Sequence, residues 1–254
     1  MPTQAEKAAL FASLHVPRDP IVLFNIWDAG SANTVEAAGA KALATGSHPI
    51  ADAIGHEDGE GAPLVDMLWV LERITASTDL PVSHDSERGY GETPDAVAET
   101  CRSVIRAGAI GVNIEDSLAG DILRNVDEQL ARFAGAKQAL NDACPGAWLN
   151  ARCDVFNAMK DAPLDNRMAE LKTRAEAYKA VGADSLFVPF LRDLDVIAQV
   201  CAAVPLPVNV MRAVGGPSIA DYAETGVARI SHGPTPRTAV MGTLKTLARD
   251  VYVK

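Results

Sequence analysis

The chain has 254 residues, with 33 acidic side chains against 23 basic ones, a formal net charge of −10, and 48% hydrophobic and 22% charged residues. That balance belongs to a folded domain and not to a disordered segment, and the acid excess leaves no basic stripe for nucleic-acid phosphates. One core suffices, because α/β barrels run to about 250 residues as a single domain, and no window approaches the ~18 consecutive apolar residues of a membrane span.

Residues 1–13 read as a short amphipathic pattern, with Glu6 and Lys7 ahead of Leu10 and Phe11, too short and too charged for a secretory signal. From there on, eight short apolar runs follow one another at 21–26, 42–45, 81–84, 110–114, 147–151, 185–188, 207–210 and 227–230. Between them lie stretches whose apolar residues recur near every 3.6 positions, at 64–74, 96–105, 126–140, 168–181 and 196–204. Strands that are apolar without alternation are buried on both faces, which implies a parallel sheet covered by helices. Eight such units predict a (β/α)₈ barrel of TIM type, one α/β domain spanning residues 1–254.

Local punctuation agrees. Thr93 before Pro94 places an N-cap ahead of a first-turn proline, and Asn33 with Glu36 predicts a capping box. Gly108, Gly182 and Gly226 each precede a strand and predict helix C-caps. An open doubly wound sheet would want a glycine-rich phosphate turn after its first strand, and residues 25–30 carry no such pattern. The four cysteines, Cys101, Cys144, Cys153 and Cys201, form no C-x-x-C pair, which fits free thiols in a reducing cytoplasm.

In a parallel barrel, chemistry sits at the C-terminal ends of the strands. Those ends carry Asn25, Trp27 and Asp28; Thr45, Gly46, Ser47 and His48; Asp85 and Glu87; Asn113, Glu115 and Asp116; Arg152 and Asp154; Asn209; and Ser231 and His232. Asp85 and Glu87 are two apart and point the same way on an extended chain, and Glu115 ends the neighbouring strand. Two carboxylates ~5 Å apart repel by about 3 kcal/mol at an effective dielectric near 20. A divalent cation removes that penalty, and all-oxygen ligation selects Mg²⁺ or Mn²⁺ over zinc. The alternative for each acid is a solvated loop charge or a helix cap.

Arg152 ends an apolar strand opposite the acids, where it either binds a substrate carboxylate and steadies an enolate oxygen or pairs with Asp154 or Glu115. The Thr45-Gly46-Ser47 turn offers backbone N–H groups to an anion. The acidic, glycine-punctuated stretch 54–63 either delivers Asp58 as a base or is simply exposed.

Six segments taken together carry a family signature: Asn25 to Ala29, Ala44 to Ser47, Gly55 to Glu60, Asp85 to Gly91, Val112 to Asp116 and Asn150 to Asp154. In this order they resemble the isocitrate lyase/phosphoenolpyruvate mutase superfamily, and the resemblance runs from about residue 20 to 240. It implies a (β/α)₈ barrel, Mg²⁺, and chemistry on a small 2-oxo acid or its enolate. Asp85, Glu87 and Glu115 would hold the metal, largely through water. Thr45, Gly46 and Ser47 would cradle the substrate carboxylate, with Trp27 and Asn209 as further substrate contacts. Arg152 would stabilise the enolate and Asp58 would act as base or water-positioner. The resemblance also implies a homo-oligomer, dimer or tetramer, with the last helix exchanged between paired subunits.

The departures from the family bear on the reaction. The lyases of this family carry a Lys-[Lys/Arg]-Cys-Gly gate after the fourth strand, whereas residues 116–124 contain neither Cys nor Lys, and Phe190 stands where the lyases have Glu. The expected activity is Mg²⁺-dependent cleavage beside the carbonyl of a 2-oxo acid, such as oxaloacetate-like decarboxylation or carbon-carbon cleavage. The alternatives are carbon-phosphorus chemistry on phosphonopyruvate-like substrates and a barrel that binds an oxo acid without turnover.

Overall fold

A computed structural model describes residues 2–252. Eight strands form one parallel sheet: β1 (Ile21–Leu23), β2 (Leu43–Ala44), β3 (Val82–Asp85), β4 (Gly111–Glu115), then, beyond a small antiparallel hairpin of β5 (Ser117–Leu118) and β6 (Ile122–Leu123), β7 (Trp148–Arg152), β8 (Ser185–Val188), β9 (Val208–Met211) and β10 (Arg229–Ser231). Their spatial order is β1-β10-β9-β8-β7-β4-β3-β2. The ring closes through the chain just beyond β1: the Ile26 N–H donates to Ala44 O at 2.9 Å and the Gly46 N–H to Ile26 O at 3.1 Å. The expected barrel is the observed one, and the expected first strand, 21–26, is interrupted after Leu23 before pairing again at Ile26.

The helices are α1 (Gln4–Ser13), α2 (Ala29–Ala37), α3 (Ser47–Ile54), α4 (Leu64–Ala76), α5 (Pro94–Arg106), α6 (Val126–Ala143), α7 (Val155–Ala158), α8 (Leu164–Ala180), α9 (Leu194–Ala203), α10 (Ile219–Glu224) and α11 (Thr235–Tyr252). The 3.6-residue patterns mark α4, α5, α6, α8 and α9 to within a turn. Met67, Val70, Leu71 and Ile74 are the buried face of α4, and Val97, Cys101, Val104 and Ile105 lie on that of α5. Thr93 caps α5 as its sequence predicts, accepting from the Ala96 N–H with Pro94 in the first turn. Gly108 follows α5 with φ +94°, and a Cβ there would lie 2.8 Å from Thr75 Oγ1, so both conformation and space demand glycine.

One expectation is overturned. The α2 capping box is formed by Asp28 and Ser31, not by Asn33 and Glu36. The Asp28 carboxylate accepts from the Ser31 N–H at 2.6 Å and Ser31 Oγ accepts from the Asp28 N–H at 3.0 Å. The helix therefore begins a turn earlier than the Asn33 reading implies, and Asp28 is engaged in capping.

Helix α1 lies across the N-terminal end of the barrel, where Gln4 Nε2 donates to Ile105 O and Phe11 packs edge-on to Trp148. At the other end of the chain α11 is unlike the rest. Pro236 is its one buried residue, and Val240, Leu244, Leu247 and Val251, spaced 4, 3 and 4 apart along one face, are all more than half exposed.

Candidate active site

The C-terminal strand ends surround a cavity of about 280 Å³. One wall is polar, with Asn25, Thr45, Gly46, Ser47, His48, Asp58, Asp85, Asn113 and Arg152; the facing wall is apolar, built by Phe187, Pro189, Phe190 and Met211.

The β1–β2 seam is fixed by a short set of bonds. Asn25 Nδ2 donates to Thr45 O at 2.8 Å, while its Oδ1 accepts from the His232 and Gly233 N–H groups at 2.9 and 2.8 Å. Thr45 Oγ1 accepts from the Asp85 N–H at 2.9 Å. Gly46 is the N-cap of α3, and a Cβ on it would come within 3.0 Å of Pro49 Cδ, so the chain packs tightly where an anion would approach the helix N-terminus.

Asp85 faces the cavity. Its Oδ2 accepts from the Ser47 N–H at 3.1 Å and its Oδ1 from Asn113 Nδ2 at 3.0 Å. Behind it a relay crosses the barrel interior: Asn150 Nδ2 donates to Asn113 Oδ1 at 2.9 Å, Ser185 Oγ to Asn150 Oδ1 at 2.6 Å, and Trp148 Nε1 to Ser185 Oγ at 2.8 Å. Each buried amide is thereby oriented by its neighbour.

Glu87 is 4% exposed and sits in a turn where Glu87, Gly89 and Tyr90 all have positive φ, a conformation non-glycine residues adopt at a cost of order 1–3 kcal/mol each. The turn is tied down by the stretch 57–61. Glu87 Oε2 accepts from the Glu60 N–H, Glu60 Oε1 from the Tyr90 N–H at 2.7 Å, and Glu87 Oε1 from Tyr90 Oη at 2.7 Å. Burial pushes the Glu87 carboxyl up to about 7 against the Tyr90 hydrogen bond, with Asp85 and Asp58 adding to the rise.

Glu115 pairs with Arg152 at 2.7 Å, and burial, with Asp154 and Asp85 adding to it, raises its carboxyl against that pull. Arg152 also holds Asp154 at 2.8 Å. Burial opposes its charge, but Asp154 and Glu115 keep it firmly protonated.

Asp85 acts electrostatically on both glutamates. Among the described residues no three His, Cys, Asp or Glu side chains lie close enough to hold an ion directly. Arg152 was expected opposite the acids, with a pair to Asp154 or Glu115 as the alternative, and the alternative is what is seen: β7 pairs directly with β4 and Arg152 stands beside Glu115 in register. Its two ion pairs coexist with a place in the cavity lining.

Trp27 and Asn209 stand apart from the cavity lining. Trp27 lies 5.9 Å under the Arg237 guanidinium, and Asn209 is fully buried with its Oδ1 accepting from Ser231 Oγ at 3.2 Å. Asp58 is exposed and lines the cavity mouth. Sequence reasoning missed the apolar wall and Arg229, a lining residue whose signal was a lone charge within the run 227–230.

A parallel eight-stranded barrel with a cavity at its C-terminal rim, lined by Asp58, Asp85, Arg152 and Arg229, has the site position of (β/α)₈ enzymes. Residues 11–252 match the phosphoenolpyruvate phosphomutase family, and the chain belongs to that family, within the isocitrate lyase/phosphoenolpyruvate mutase superfamily. A solved structure of a candidate phosphonomutase from Burkholderia cenocepacia J2315 is 51% identical, with a TM-score of 0.93 over 98% of this chain and 99% of that one. The 2-methylisocitrate lyase of Escherichia coli K12 is 29% identical over 82% of this chain and 68% of its own length. The oxaloacetate decarboxylase of Rhodopseudomonas palustris BisA53 is 29% identical over 79% and 70%. Relatives of this chain are therefore lyases and mutases acting on small acids.

Proposed function

We propose that this protein is a Mg²⁺-dependent lyase that breaks the bond beside the carbonyl of a small 2-oxo acid through an enolate, by oxaloacetate-like decarboxylation or a related carbon-carbon cleavage. The observation that carries this reading is the pairing of Asp85 and Arg152 in one cavity lining, with Glu115 held by Arg152 just outside that lining and Glu87 buried two residues beyond Asp85.

The donor set fits the metal. Mg²⁺ keeps several of its waters and takes one or two carboxylates, and Asp85 in the cavity lining is a carboxylate placed to supply the first. Asp85, Glu87 and Glu115 would hold it, and Mn²⁺ would serve in its place. Bound there, the ion supplies a Lewis acid for the charge that develops as the bond breaks.

The chain's own residues account for the rest. The Thr45–Ser47 segment, opening α3, receives the substrate carboxylate. Arg152, preorganised by Glu115 and Asp154, donates to the oxygen that becomes the enolate. Asp58, at the mouth, moves the proton to or from the carbon or positions water.

A second reading, carbon-phosphorus cleavage or transfer on a phosphonopyruvate-like substrate, is favoured by the 51% identity to the candidate phosphonomutase. The shortage of basic side chains in residues 116–124 weighs against it.

We further infer a homo-oligomer in which α11 packs on a second copy of the chain, exchanged between subunits, because a helix with one buried residue and an apolar face is stable only when covered. Four free cysteines, three of them buried, suit the cytoplasm, and no described helix is long and apolar enough to cross a membrane.

The test is a screen of the purified protein against oxaloacetate, phosphonopyruvate, methylisocitrate and substituted malates, with Mg²⁺ and after its removal by chelation. Metal-dependent release of pyruvate, glyoxylate or a related oxo acid from a phosphorus-free substrate supports the lyase, and release of phosphate together with pyruvate from phosphonopyruvate supports the second reading. Binding of oxalate without turnover of any substrate would overturn both in favour of a non-catalytic barrel.

A further inference from the structure

Arg229 is an arginine inside the barrel. It projects from β10, is 3% exposed, and its Nε donates a long bond of 3.4 Å to Ser231 Oγ. Its Nη1 has no partner, and no carboxylate among the described residues forms an ion pair with it; the one acid that acts on it, Asp85, does so from beyond contact. Beneath the guanidinium lies the Phe11 ring, its centroid 5.9 Å away, so no counter-charge comes from that side. His15 is the titratable group there, and burial, with Arg229 itself contributing, keeps it uncharged.

On its other side Arg229 lines the cavity. The remaining arginine of the lining, Arg152, has its charge balanced by Glu115 and Asp154. A second unpaired donor adjoins: Ser231 Oγ, also in the lining, links Arg229 to Asn209, whose Nδ2 is buried without an acceptor. Arg229 lies opposite Asn209 in register between β10 and β9, and its unbalanced charge on the cavity wall calls for an anion, because a buried charge is stable only when paired.

We propose that Arg229, with Asn209 behind it, binds a second anionic group of the substrate, a carboxylate, so that the substrate is a 2-oxo dicarboxylate. This rests on reading the cavity as a 2-oxo acid site. The reacting end lies against Asp85 and Arg152, and the second carboxylate reaches inward to Arg229. This assigns Arg229 to recognition of the far end of the substrate, a role for which residues 116–124 offer no cation other than Arg124, itself paired with Glu92.

Calorimetric titration of the Mg²⁺-loaded protein with malate and with lactate, which differ by one carboxylate, tests it. The wild type should bind malate about 10- to 100-fold more tightly, the worth of a charge-assisted hydrogen bond. Arg229→Gln should lose that preference while its affinity for lactate stays within about 3-fold, and Arg229→Lys should keep part of it. A structural arginine would instead lower the thermal midpoint and leave the preference intact. If Arg229→Gln does not fold, Arg229→Lys and Asn209→Ala supply the same comparison. Equal affinity of the wild type for both acids, or a preference undiminished in the folded variants, overturns the assignment alone. Failure of both acids to bind the wild type overturns the reading of the cavity and this assignment with it.

Discussion

Arg152→Ala separates two consequences of one side chain. In the structure its guanidinium spans Glu115 at 2.7 Å and Asp154 at 2.8 Å, with Glu115 9% and Asp154 1% exposed. Removing it strands two carboxylates, and breaking a buried pair from one side costs about 3–5 kcal/mol. Two features hold the loss to the lower end. Asp154 keeps Ser117 Oγ on its other oxygen at 2.7 Å, and Glu115, already raised by burial, can take up a proton. A loss of about 3 kcal/mol lowers the thermal midpoint by roughly 6–12 °C for a chain of this size. Turnover should fall further in relative terms, by ~10²- to 10³-fold, the usual cost of deleting a preorganised donor to developing charge. Arg152→Lys preserves one ion pair but not both, so it should regain much of the midpoint and little of the turnover. Thermal unfolding and kcat on the substrate that emerges from the screen are the two measurements. Turnover within 3-fold of wild type in folded Arg152→Ala would remove the residue from the mechanism, and an unchanged midpoint would refute the account of the ion pairs.

Other outcomes follow from the same geometry. Tyr90→Phe deletes the 2.7 Å hydrogen bond to Glu87 Oε1 and should raise the Mg²⁺ concentration for half-maximal activity by about 10-fold, with kcat at saturating metal little changed. His15 stacks on Trp148 at 4.3 Å and its pKa is lowered by burial to about 3. Protons bind the unfolded chain near pH 6.5 and the folded one only near 3, so its contribution is intact above pH 6.5 and is lost as pH falls, by ~1.4 kcal/mol per unit. Urea unfolding from pH 7 to 4.5 should therefore show a drop ~3 kcal/mol smaller in His15→Gln than in wild type, and parallel curves would contradict this. Leu244→Glu with Leu247→Glu places charges on the exposed face of α11 and should shift the particle toward the monomer in light scattering, while a single species of unchanged mass would remove α11 from the interface.

Much of this was legible in the sequence, for identifiable reasons. Unalternating apolar strands and 3.6-residue helical patterns are direct imprints of burial on two faces and on one, so the barrel could be counted. The acids at strand ends were legible because position along a parallel strand fixes which end of the barrel a side chain serves. What escaped depends on pairings between distant segments. The Asp28–Ser31 capping box competed with an equally good pattern at Asn33, and only the start of the helix decides between them. The β5–β6 hairpin escaped because two-residue strands carry too few side chains to declare a period. Helix α3 begins with Ser-His-Pro, which reads as a turn until Gly46 is seen to cap it. The apolar wall of Phe187, Pro189, Phe190 and Met211 reads in one dimension as ordinary core.

The relay from Trp148 through Ser185, Asn150 and Asn113 to Asp85 has a consequence for how such a barrel can diverge. A lumen filled by branched aliphatics accepts exchanges one at a time, whereas here the replacement of Asn113 by leucine would strand an amide on one neighbour and a carboxylate oxygen on another. Lineages that inherit this arrangement should change these positions jointly or leave them alone, and a homologue bearing a single aliphatic intruder should be found to have lost its ability to hold Asp85 in place.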